Sequence, residues 1–351
     1  MNNQSVFPIP VTILTGFLGA GKTTVLNHIL HAEHGLRVAL LVNDFGKINI
    51  DSQLVADVSE QDTIELSNGC ICCTIRGDLL QAMMNMIRRE TPPEYIIIEA
   101  SGVSDPLEIA LTFRTPELQN TILVDSVLTV IDTEQVRSLQ GENEILAVMQ
   151  VGAADLVLLN KVDLVDDTQR DDVKKWVKSI VPKARILETT YGQVPVELVL
   201  GVGQFSPDRL HNRATTDIHV HDETTAIHAH HDHSLIFNTW SWVSPEPLSL
   251  KALQRTVDNL PVGIYRAKGT VHLADDPQRV AYLQVVGKRA SVRWGRHWDD
   301  KTPTSQIVVI GSEDSFDPAD LQKRFDACLA ANAPQSELGR IAQSVMSWFR
   351  G

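Results

Sequence analysis

A strand, a glycine-rich turn and a helix follow one another from residue 11, and nothing else in this chain constrains its fold as tightly. Val11-Thr12-Ile13-Leu14 reads as the strand, Gly16-Phe17-Leu18-Gly19-Ala20-Gly21-Lys22-Thr23 as the turn, and Thr23-Thr24-Val25-Leu26 as the start of the helix. Glycines let backbone N–H groups converge on phosphate oxygens without a Cβ in the way. The helix N-terminus adds the positive end of its dipole. Lys22 is expected to reach the outer phosphates, and the Thr23 hydroxyl to ligate Mg²⁺. Gly16, Gly19, Ala20, Gly21, Lys22, Thr23 and Thr24 therefore form the candidate phosphate-binding set.

Such a turn belongs in an α/β sheet, and the first 200 residues or so fit one. Short apolar runs at 11–14, 38–42, 95–98, 122–131, 155–159 and 185–187 are mostly Val, Ile and Leu, as in strands buried on both faces. Helical patterns lie between them, at 24–31, 78–89 and 171–180. Strand–helix alternation predicts a mostly parallel sheet covered on both sides, a P-loop nucleoside triphosphatase domain over residues 1–205.

The alternation then stops. Residues 206–234, rich in His, Asp and Thr, lack apolar periodicity and read as a linker. Five of the six tryptophans follow residue 235, so a second core is expected there. Strands are predicted at 235–243, 264–273, 280–294 and 306–310, and helices at 248–260 and 318–330. The expectation is a smaller α+β C-terminal domain over 235–332, one antiparallel sheet with helices on one face. A helical tail is expected over 333–351, with its amphipathic part at 336–349. A length of 351 residues and 43% hydrophobic content suit two cores.

Two further segments bear on the nucleotide. Asn160-Lys161-Val162-Asp163 follows the run 155–159, at the carboxyl edge where open sheets bind ligands. A carboxylate at Asp163 accepts from the ring N–H and the 2-amino group of guanine, whereas adenine leaves it unpaired at a cost. GTP is therefore preferred over ATP. Tyr95-Ile96-Ile97-Ile98-Glu99 is a strand ending in a carboxylate, placed to hold Mg²⁺ through water or to orient the attacking water. Gly102 permits close approach to the γ-phosphate. Lys22, Thr23 and Glu99 are the candidate catalytic residues. No counterpart of a water-orienting Gln is evident, so slow intrinsic hydrolysis is expected.

The cysteines point to metal. Three of four crowd into Cys70-Ile71-Cys72-Cys73, a spacing that suits thiolate ligation in a reducing cytosol better than a disulfide framework. Zinc takes such ligands, though a redox pair or buried cysteines also fit the pattern. Cys328 stands alone and reads as a small buried hydrophobe on a helix. Seven of the twelve histidines fall between His211 and His233. Of these, His219, His221, His228, His230, His231 and His233 are candidate metal ligands; a solvated loop without specificity is the bland alternative. His28, His31 and His34 read as ordinary helix-surface residues.

Net charge of −13 argues against a nucleic-acid partner. The N-terminal ten residues lack a signal-peptide pattern, and no run reaches the roughly 18 apolar residues that span a bilayer. A cytoplasmic protein with no membrane partner is expected.

Four segments together resemble the CobW-like family of metallochaperone GTPases: residues 16–24, Ser67-Asn68-Gly69-Cys70-Ile71-Cys72-Cys73, Glu99-Ala100-Ser101-Gly102, and Asn160 to Asp163. Tyr265-Arg266-Ala267-Lys268-Gly269, Gln284-Val285-Val286-Gly287 and Trp294 look like the family's C-terminal module. The resemblance implies GTP hydrolysis coupled to delivery of a transition metal, most often zinc, with cobalt or iron in some branches. It also implies that Cys70, Cys72 and Cys73 form the internal metal site. One departure concerns Asn43-Asp44-Phe45-Gly46: some relatives carry acidic flanks there, and this chain has Val42 and Lys47. A site using those carboxylates cannot form, and the role of Asp44 stays open.

The functional expectation is a GTP- and Mg²⁺-dependent metallochaperone that carries Zn²⁺, with Co²⁺ as the alternative cargo, to a client metalloprotein. A homodimer is also allowed for. The rivals are a passive zinc buffer or sensor with vestigial GTPase activity, and a cobalt-delivery protein for cofactor synthesis.

Overall fold

The computed structural model describes residues 8–32, 35–42, 63–65, 73–200, 237–298, 302–312 and 315–332. Backbone contacts divide the chain into two units, residues 1–236 with 286–289, and residues 237–285 with 290–351.

The first unit is a parallel sheet with helices between its strands. Its elements run β1 (Ile9–Thr15), α1 (Lys22–His31), β2 (Val38–Val42), β3 (Thr63–Glu65), α2 (Cys73–Ile87), β4 (Tyr95–Glu99) and α3 (Pro106–Thr112). They continue through β5 (Ile122–Asp132), α4 (Glu142–Ala153), β6 (Leu156–Asn160), α5 (Asp167–Ile180), β7 (Ile186–Thr189) and α6 (Val196–Leu200). The strand order is β3-β2-β4-β1-β5-β6-β7, and every neighbouring pair is parallel. All five residues of β4 and all five of β6 are buried, which is why their sequences show unbroken apolar runs rather than alternation.

On one face of the sheet, Val11, Ile13, Ile96 and Ile98 pack with Leu79, Met83 and Met86 of α2 and with Ile109 of α3. Farther along, Ile131, Val157 and Leu159 pack with Val151 of α4 and with Val173 and Val177 of α5. Thr12, one residue out of phase with that face, donates to the Val199 carbonyl of α6. The helices begin where their capping residues say they should. Asp105 accepts from Leu107 N ahead of Pro106, and Asp166 accepts from Gln169 N. The Asp166 cap explains why α5 starts at Asp167 rather than at 171.

The second unit holds β8 (Phe237–Ser244), α7 (Leu250–Asp258), β9 (Ile264–His272), β10 (Arg279–Val286), β11 (Arg289–His297), β12 (Ser305–Ser312) and α8 (Pro318–Asp326). The sheet order is β11-β10-β9-β12-β8, with β12 antiparallel to both β8 and β9. Burial alternates residue by residue along β12, so this sheet packs one face only. Ile307, Val309, Ala267 and Val271 meet Leu253 and Val257 of α7 and Leu321 and Phe325 of α8. Trp240 stacks on Phe325 at 5.6 Å, Trp242 meets the same ring at a tilt at 5.9 Å, and Trp242 Nε1 donates to Asp326 Oδ1 at 2.9 Å.

Two expectations are corrected. Residues 280–294 form two strands, because Gly287 takes φ +54°, a left-handed turn conformation, where a strand interior was expected. Cys328 is buried, but α8 ends at Asp326, so it lies in the turn beyond the helix. Its Sγ lies 3.2 Å from Thr256 Oγ1 and from the Arg324 carbonyl. The His-rich segment and the tail fall outside the described residues. Among those described, no helix is long and apolar enough to cross a membrane.

Candidate nucleotide site

Register brings the ends of five strands to one edge. Leu14 pairs with Glu99, Thr15 with Thr129, Asp132 with Asn160, and Asn160 with Thr189. The chain winds from β1 toward β2 and β3, then crosses after β4 to β5 on the other side. Open sheets bind ligands at such a switch point, outside the carboxyl ends of the strands.

The phosphate loop leaves β1 at that edge. Gly16, Gly19 and Gly21 all have positive φ. Two of the three admit no side chain: a Cβ on Gly16 lies 2.1 Å from the Val130 carbonyl oxygen, and one on Gly21 lies 2.3 Å from Asn160 Nδ2. The start of α1 has no side-chain cap and no acidic residue in its first turn, which leaves its N–H groups facing the loop. Lys22 is buried, and its Nζ donates to the Phe17 carbonyl at 3.2 Å, across the turn. Thr23 Oγ1 donates to Glu99 Oε1 at 3.0 Å, and Glu99 is 3% exposed at the end of β4. A hydroxyl and a carboxylate held together beside a phosphate loop are hard oxygen donors of the kind that fit Mg²⁺. Thr24 is exposed on the first turn of α1.

On the other side of the loop, Asn160 is 2% exposed and spends its whole amide on backbone. Nδ2 donates to the Ala20 carbonyl at 2.9 Å, and Oδ1 accepts from Gly192 N at 3.0 Å. One side chain thus ties the phosphate loop, the segment after β6 and the loop after β7 together. Lys161 adopts a left-handed φ of 62°, and its ammonium pairs with Asp132 Oδ2 at 2.7 Å. Asp132 in turn accepts from Glu134 N and Gln135 N through Oδ1. Val162–Leu164 forms a single 3₁₀ turn on which Asp163 stands exposed.

The structure therefore brings Lys22, Thr23, Glu99 and Asn160 to one place, with Lys161 and Asp163 following Asn160. Asp132 and Gly192 were not anticipated. A polar residue closing a buried strand, as Glu99 closes β4, was the available signal for Asp132.

Of the predicted metal ligands, Cys73 is the first residue of α2. Cys70, Cys72, Asp44, His34 and the six linker histidines lie outside the described residues. His28 Nε2 lies 3.0 Å from the Val194 carbonyl and His31 Nδ1 lies 2.6 Å from the Asn27 carbonyl, so each ring is engaged with backbone. Among the described residues, no three His, Cys, Asp or Glu side chains cluster as a metal site.

This sheet, loop and strand-edge arrangement defines a P-loop nucleotide-binding protein. Residues 10–188 match the family described as CobW/HypB/UreG, nucleotide-binding domain, and residues 237–329 match the cobalamin synthesis protein cobW C-terminal domain. The chain belongs to the CobW family. It is 32% identical to the zinc chaperone CobW of Pseudomonas aeruginosa, over 93% of this chain and 93% of that protein. It is 31% identical to the zinc chaperone YjiA of Escherichia coli, over 87% of this chain and 94% of that one. Among solved structures, the Zn(II)-bound YjiA GTPase from E. coli is similar at a TM-score of 0.43 and 24% identity, covering 92% of this chain and 99% of that chain.

Proposed function

We propose that this chain is a GTP-hydrolysing metallochaperone that binds zinc at Cys70, Cys72 and Cys73 and passes it to a client protein under nucleotide control. The zinc chaperones it resembles along most of their length support the cargo. The observation that carries the coupling is a matter of register. Val42 pairs with Glu65 on one side and with Glu99 on the other. β3, which precedes Cys70 and Cys72 in sequence, therefore ends at the same edge of the sheet as Glu99, and α2 begins at Cys73.

In this reading Lys22 and the uncapped start of α1 bind the phosphates, and Asn160 holds the phosphate loop against the base-side loops. Asp163 selects guanine. Thr23 and Glu99 hold Mg²⁺, which supplies charge neutralisation on the phosphates when it is bound. Glu99 orients water for attack. Zinc is cargo, held as a thiolate complex whose affinity depends on how the γ-phosphate sets the edge of the sheet.

The test is zinc titration of the purified protein with a non-hydrolysable GTP analogue, with GDP and without nucleotide. The expected outcome is a tight site whose affinity differs between the nucleotide states by about 5–150-fold, the usual range of a coupling free energy. One affinity in all three states rejects the coupled mechanism and favours a passive buffer.

A further inference from the structure

Helix α4 is not part of the loop set above, yet it reaches into it through one side chain. Gln150 is 1% exposed. Its Nε2 donates to the carbonyl of Gly102 at 3.1 Å and, less closely, to that of Ser104 at 3.4 Å. Its own carbonyl accepts from Thr129 Oγ1 on β5 at 3.0 Å, so the residue is fixed to the sheet at its backbone and to the loop at its tip. That loop follows Glu99 directly. It is closed by Ser104 N donating to Ser101 O at 3.0 Å, and it is joined to β1 by Ala100 N donating to Leu14 O at 2.8 Å.

Gly102 lies hard against the phosphate loop: a Cβ on it meets Leu18 N at 2.8 Å and Leu18 Cδ2 at 2.7 Å. The peptide held by Gln150 is thus the one packed on the phosphate loop. Beside it is a small cavity lined by Phe17, Leu18, Ile131, Val136 and Val151, with Gln150 itself on the wall.

We infer that Gln150 is a positioning residue that presets the loop after Glu99 for the γ-phosphate, an inference that rests on the GTPase reading above. It touches neither nucleotide nor attacking water. It acts by holding the Gly102 and Ser104 carbonyls, and with them the stretch of backbone that packs on Leu18 of the phosphate loop. GDP binding uses the phosphate loop, Asn160 and Asp163; the loop is also held from within by Lys22 and from the other side by Asn160, so it keeps most of its shape when the anchor is lost. GTP binding and hydrolysis add the γ-phosphate, and they do depend on it.

The experiment compares the unmutated protein with Gln150→Met, which keeps the length of the side chain and removes both donors. Affinities for GDP and for a non-hydrolysable GTP analogue are measured by fluorescent-nucleotide displacement, and hydrolysis is followed at saturating GTP with Mg²⁺. The expected result is GDP affinity within about twofold, with the GTP-analogue-to-GDP affinity ratio and the saturated rate each lower by about tenfold, the scale of one to two hydrogen bonds. An unchanged ratio and rate in a protein that still binds GDP overturns the inference. If Gln150→Met does not fold, Gln150→Asn carries the test, since its amide sits on a shorter arm. A lowered ratio there supports the inference and an unchanged one overturns it. Absence of hydrolysis in the unmutated protein overturns the GTPase reading itself and this inference with it.

Discussion

Asn160 and Asp163 stand three positions apart and do different work. Asn160 pairs two buried backbone groups, the Ala20 carbonyl and the Gly192 N–H, and Asp163 projects from an exposed turn. Replacing Asn160 by Ala leaves both backbone groups without that partner, at about 1–3 kcal/mol for a stranded buried group. The expected outcome of Asn160→Ala is a lower thermal midpoint and weaker binding of GTP and GDP together. Asp163→Asn is expected to leave the midpoint nearly unchanged and to move preference from guanine to xanthine nucleotides. Calorimetric midpoints and competition binding check both; a change of base preference in Asn160→Ala alone, with none in Asp163→Asn, reverses the assignment. The phosphate loop and the Asn160 to Asp163 segment were readable because their chemistry is packed into consecutive residues. Asp132, Gly192 and Gln150 were not, because their partners lie 29, 32 and 48 positions away and only strand register brings them together.

At the scale of elements, the parallel strands were legible for the reason that makes them stable: both faces are buried, so their runs are uninterrupted Val, Ile and Leu. β3, with three residues, is too short to carry a pattern. Helix α3 has seven residues, two of them exposed leucines, and its apolar spacing looks like loop. The Gly287 turn was hidden inside a run of strand-forming residues. In the second unit, Phe325 of α8 is fully buried against the two β8 tryptophans. Phe325→Ala is expected to cost about 3–5 kcal/mol. Cys328 lies just beyond the same helix, where burial pushes its thiol up and disfavours the reactive thiolate. It is expected to resist alkylation at neutral pH in the native protein and to react in the Phe325→Ala variant, as read by mass spectrometry of its peptide. Rapid alkylation of Cys328 in the unmutated protein contradicts the burial.

For the whole molecule, the question is what the segments outside the described residues add. If the linker is a collector, deleting residues 219–233 lowers the number of weakly bound zinc ions and leaves one tight site and the basal GTPase rate in place. Replacing Cys70, Cys72 and Cys73 by Ser has the opposite pattern: the tight site goes, metal-dependent hydrolysis goes, and GTP binding stays. Equilibrium dialysis with metal analysis separates the two, and loss of the tight site on linker deletion moves the site out of the cysteine cluster. The Asn160 clamp also has a consequence for synthesis. It joins Ala20 to Gly192, residues at nearly opposite ends of the first unit's chain. A nascent chain that has displayed its phosphate loop still lacks the wall that closes it until Gly192 has left the ribosome. Contacts this distant in sequence form late and slowly. The clamp is therefore a late product of folding, complete only when the loop after β7 has joined the sheet.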